Sequence, residues 1–152
     1  MFTPDYTLLL QVHAAATFYL VGLIWVIQRV HYPLFSHVGS TGFAAYEQLH
    51  VRRITPVVGP PMLVEAATAV ALVALAPPEA PAGTLWLALL LLAAIWVSTA
   101  LIQVPCHNAL SRQFNEAAHE RLVRTNWLRT VLWSVRGLLV LHILASTTRS
   151  TG

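Results

Sequence analysis

Seven histidines sit in a chain of 152 residues, and two of them stand at helical spacing from a carboxylate. Glu47 and His50 are three residues apart, as are Glu116 and His119. On a helix that spacing puts both side chains on one face, the arrangement by which di-iron carboxylate bundles hold their metals. Glu47 and His50 share their face with Phe43 and Ile54, so they are expected to point into a bundle. Glu116 and His119 lie off the face made by Leu110, Phe114 and Ala118, and are expected in solvent. His31 and His107 stand at the ends of two apolar stretches and add imidazoles at the same level. Only Glu65 offers a further inward carboxylate, too little for two metals. The set His31, Glu47, His50 and His107 therefore predicts a mononuclear, His-rich site for a transition metal such as Fe, Cu or Zn. Interfacial histidines bonded to backbone or lipid headgroups would leave the same pattern without a metal.

Other polar groups fall where lipid should exclude them. An ionisable residue inside a spanning helix costs about 2.5–3.5 kcal/mol on insertion scales, so each needs a reason. Glu65 and Arg136 each lie about ten residues inside an apolar stretch, roughly 15 Å down at 1.5 Å per residue. An ion pair between them is the simplest way for both to stay charged. Such a pair either only locks the bundle or forms the charged floor of a cavity. Above it the polar residues thicken: Gln28, Gln103, Asn126 and Arg129, with Trp133 between the two arginines on one stripe. Trp133 is placed to stack on a guanidinium or a flat ligand. His13 and His142, at matched depth near the opposite end, are a weaker candidate pair for axial haem ligation. Cys106 beside His107 reads as a nucleophile, a ligand or a small interfacial residue.

The elements that must carry these groups are apolar. The chain is 57% hydrophobic and 10% charged, against about 25% charged in soluble domains. That excludes a soluble enzyme and a disordered tail. The net charge of +3 comes from nine arginines dispersed among apolar stretches, so no nucleic-acid surface is expected either. Four stretches approach the ~20 residues of a spanning helix: 6–27, 54–76, 85–104 and 127–145. They predict an all-α, integral membrane four-helix bundle, one transmembrane domain over 1–152, with its partners the lipid bilayer and a small lipophilic ligand. A homo-oligomer is open. Pro77, Pro78, Pro81 and Gly83 make a tight turn between the second and third spans. The longer connections, 28–53 and 105–126, should contain amphipathic helix.

With no basic n-region or small-residue cleavage site, the first stretch reads as a retained helix. Arg29, Arg52, Arg53, Arg112, Arg121 and Arg124 fall in loops one and three, which places those loops in the cytoplasm of a cell inner membrane and both termini outside. The halves also look alike, each with Gln, Pro and His at a helix end followed by Glu-x-x-His-x-Arg. This suggests two pseudo-repeated hairpins.

The run Gln103-Val-Pro105-Cys-His107-Asn108-Ala-Leu110, followed by Thr125-Asn126-Trp127-Leu-Arg129-Thr130, resembles the anthrone-oxygenase-like family of small four-helix membrane proteins, most of them without an assigned function. Pro105, Asn108, Leu110, Asn126, Trp127 and Arg129 match its pattern. His31-Tyr-Pro33-Leu-Phe35 and the stretch from Tyr46 to Glu65 look like an uncharacterised bacterial branch. The resemblance implies oxidation of a polycyclic anthrone to a quinone without an organic cofactor.

The residues themselves permit a membrane oxidoreductase or oxygenase acting on a small lipophilic aromatic or quinone-like compound. His31, His50 and His107 would serve as base or metal ligands, and Arg129 would hold an anionic oxygen. Glu65 and Arg136 complete the candidate catalytic set, and Gln28, Gln103, Asn126 and Trp133 the substrate-binding one. The alternatives are a non-catalytic metal-, haem- or quinone-binding protein, an accessory subunit of a membrane complex, or a small transporter.

Overall fold

Thr3 starts the first helix: its Oγ1 accepts the Tyr6 N–H at 3.2 Å, and Pro4 stands at the first helical position. Helix α1 then runs Pro4–Val26 and widens into a π turn over Ile27–His31, followed by a 3₁₀ turn over Pro33–His37. Gly39, at φ 84° in the left-handed region, turns the chain into α2, Ser40–Ala74. After the proline-rich turn come α3, Ala82–Ser98, a second π turn over Thr99–Gln103, and α4, Val104–Leu110. Asn115 caps the last helix, α5 (Glu116–Arg149), its Oδ1 accepting the Ala118 N–H at 2.8 Å. This computed structural model describes residues 2–149, and among them there is no β-strand.

The fold is all-α, with four rods long and apolar enough to cross a membrane: Pro4–His37, Ser40–Ala74, Ala82–Leu110 and Glu116–Thr147. Helix extends well beyond the predicted spans and takes up most of both long connections, leaving short breaks at 38–39 and 111–115. α1 packs against α2 and α5, and α3 against the same two, so the four rods close into a ring. Phe18 of α1 packs over Gly137 of α5, its ring 3.4 Å from where a Cβ would stand. Leu20, Ile24, Phe43, Ile95 and Trp133 fill the interior, whereas Leu8, Leu63, Leu90, Leu101 and Leu138 face outward. Apolar groups on both sides fit a bundle solvated by lipid.

Two irregularities set the site. Each π turn bonds the next residue five back, Tyr32 to the Ile27 carbonyl and Val104 to the Thr99 carbonyl. Each ends two residues before a proline, Pro33 or Pro105. That matched placement accords with the likeness of the two halves. In α2, Pro56, Pro60 and Pro61 supply no N–H, so the carbonyls four residues earlier lose their helical partner. Tyr19 donates its hydroxyl to one of them, Val57, at 3.5 Å.

Candidate metal centre

Glu47 on α2 is fully buried, and its Oε1 lies 2.5 Å from Nδ1 of His107 on α4. Its Oε2 has no hydrogen-bond partner. A buried carboxylate oxygen without a partner is costly, and an ion, a ligand or an ordered water would each relieve it. His50, one turn along α2, completes a group whose ligand atoms lie within 4.8 Å of one another. Ligands sharing one ion at about 2.0–2.2 Å stand up to ~4 Å apart, so a small closure brings Glu47, His50 and His107 onto a metal. This group can hold one.

Around it stand residues that orient it. Nε2 of His31 lies 2.9 Å from Nδ1 of His50. The Tyr32 hydroxyl lies 2.9 Å from Nε2 of His107. His31 was expected among the ligands, but it stands outside the group and holds the far ring nitrogen of a ligand instead. Nε2 of His31 is already engaged by Nδ1 of His50, a member of the group.

Beside the group is a cavity of 190 Å³, lined by Tyr32, His50, Thr99, Gln103, His107 and Arg129 among others. Arg129 is 5% exposed. It donates from Nη1 to Asn126 Oδ1 at 3.2 Å, while its Nε has no partner. Asn126 in turn donates to Gln28 Oε1 at 2.9 Å, and Gln28 donates to the Val123 carbonyl at 3.2 Å. The guanidinium carbon of Arg129 sits 5.1 Å over the Trp133 ring. Of the four expected substrate-binding residues, Gln103 lines the cavity. Gln28, Asn126 and Trp133 do not; they brace Arg129.

Deeper in the bundle the second expected cluster is present and differs in kind. Arg136 and Glu65, both fully buried, form an ion pair at 3.0 Å. Glu65 Oε1 also accepts from Thr17 at 2.9 Å, and Oε2 accepts from Trp133 Nε1 at 3.0 Å. Arg136 donates from Nη1 to the Ala88 carbonyl. His13 lies 2.8 Å from Thr68 Oγ1 and 3.4 Å from Arg136 Nη2. All four rods meet in this network.

Two expectations need correction. His13 and His142 do not face one another: His13 is buried against Thr68 and Arg136, while His142 is exposed on α5. That removes the paired haem ligands. His119 is not in solvent either. It is buried, with Nε2 2.8 Å from the Tyr32 carbonyl and its ring stacked on Phe35 at 6.2 Å. The face drawn through Leu110 and Phe114 crossed the break at 111–115, where the helical phase restarts; Glu116 alone is exposed as expected. Tyr32 was missed altogether. No spacing rule singles out a tyrosine between a histidine and a proline.

A family model described as the OsI_030282 N-terminal domain matches residues 86–119, under a quarter of the chain. No curated protein and no solved structure matches. The matched segment covers most of α3, the second π turn and α4, and so includes Gln103 and His107. The likeness to anthrone oxygenases rests on the sequence motifs alone.

Proposed function

We propose that this chain is a metal-binding protein of the inner membrane, a single transmembrane unit, that oxidises a small lipophilic ring compound at the Glu47, His50 and His107 centre, with dioxygen taking the electrons and protons. The observation that carries this reading is Glu47 itself, fully buried, with one oxygen on His107 and the other unpartnered. A bound Fe or Cu would supply redox chemistry there, and a bound Zn Lewis-acid chemistry only.

The chain's own residues do the rest. Arg129 presents an unpaired N–H in a water-poor site, where it stabilises a developing anionic oxygen far better than in water. Gln28 and Asn126 fix its angle, and Trp133 supports its face. Tyr32 and His31 hold the outer nitrogens of the two histidine ligands. The cavity is smaller than the ~300–1,000 Å³ of typical ligand sites, which favours a single-ring compound. The same small volume favours, as a second reading, a metal-holding protein without turnover. In either case the arginine-rich end faces the cytoplasm by the excess of basic residues there. Glu65 and Arg136, on this view, serve the scaffold.

Elemental analysis of protein purified in mild detergent and loaded in turn with Fe(II), Cu(II) and Zn(II) tests the metal. One of these retained at about one ion per chain, and lost in Glu47→Gln and His107→Ala, is the expected result. No stoichiometric ion with any of the three contradicts it. Oxygen uptake with simple hydroquinones then separates catalysis from storage.

A further inference from the structure

A groove of 870 Å³ lies on the far side of α5 from the Trp133 network, between that helix and the 3₁₀ turn at Pro33. Its floor is His119 and Val123, and its rim carries Arg121, Arg124 and Trp127. These three rim residues follow one another at intervals of three, so they lie along one side of α5. Trp127 is 38% exposed and meets Trp25, 42% exposed, edge to face at 5.7 Å. Paired, outward-facing tryptophans mark the membrane–water boundary. Counted from Trp127 toward the N-terminus of α5, Arg124 is about 4.5 Å and Arg121 about 9 Å farther along, at headgroup level.

Both arginines are exposed, and neither is in an ion pair among the described residues. Glu120 is the one acid lining the groove, which leaves it net positive. Arg121 and Ala117 also border a second hollow of 270 Å³, so the basic rim reaches over two adjoining depressions. An occupant must be anionic where it meets the arginines and apolar where it meets Val123 and Trp127, and must be present at the boundary itself.

We propose that this groove binds an anionic phospholipid, its phosphate between Arg121 and Arg124 and its glycerol and upper acyl chain against Trp127. Basic pockets beside spanning helices select anionic headgroups in this way. The site is separate from the metal centre and stands or falls without it.

Native mass spectrometry of the detergent-purified protein offered equal amounts of palmitoyl-oleoyl phosphatidylglycerol and phosphatidylcholine reads the preference directly. Wild type should retain phosphatidylglycerol. R121Q/R124Q should lose the preference, by about fivefold for each arginine removed. R52Q/R53Q, with two exposed arginines taken from α2, should keep it. Equal retention of both lipids by wild type would overturn the proposal. So would an undiminished preference in R121Q/R124Q, or an equal fall in R52Q/R53Q.

Discussion

Two buried carboxylates on the same helix, Glu47 and Glu65, are treated in opposite ways. Both are fully buried, and each lies in a cluster with histidine, with a buried arginine nearby. Every polar atom around Glu65 is used: Thr17, Trp133 and Arg136 donate to it, and Arg136 is finished off by the Ala88 carbonyl. Around Glu47 atoms are left over, its own Oε2 and Nε of Arg129. A fully satisfied buried network specifies one packing of four helices; a partly satisfied one leaves atoms that a ligand, an ion or water can meet. Satisfaction, more than burial or charge, separates scaffold from site.

The contrast can be broken by substitution. Glu65→Gln should destabilise the protein by about 3–5 kcal/mol, because Arg136 loses its counter-charge in the interior. Thermal unfolding in detergent checks this, and wild-type stability would dissolve the distinction. Replacing both partners, E65L with R136M, should recover much of that loss. Trp133→Phe removes one donor from the Glu65 carboxylate and should cost about 1.5–3 kcal/mol on the same assay. Glu47→Gln is the counterpart. It should change the stability of metal-free protein by no more than about 1 kcal/mol while abolishing metal retention, since the amide oxygen can still accept from His107 and the oxygen it replaces had no partner. A stability loss as large as that of Glu65→Gln would make Glu47 a second lock. His31→Ala should leave the fold intact and weaken metal binding roughly 10–100-fold, the effect of removing a residue that orients a ligand. Unchanged affinity would detach His31 from the centre.

How far the sequence could be read depended on helical regularity. Glu65 and Arg136 were legible by counting residues from the ends of two apolar stretches. Glu47 and His50 were legible from a spacing of three on one helix. The four spans followed from hydropathy alone. Reading failed where the α period is interrupted. His31, in the π turn Ile27–His31, meets His50 instead of joining the ligand group, and the break at 111–115 reset the phase that put His119 in solvent. His13 and His142 lie on packed neighbours, yet depth says nothing of rotation, and His142 faces out. Tyr32 gains its meaning from His107, 75 residues away, and only the fold brings them together.

X-ray absorption of the protein loaded with one equivalent of the ion it retains among Fe(II), Cu(II) and Zn(II) addresses the central claim directly. The account predicts a first shell of nitrogen and oxygen at about 2.0–2.2 Å with the scattering of two imidazoles, falling to one in His107→Ala. A spectrum without imidazole, or one that His107→Ala leaves unchanged, would contradict it.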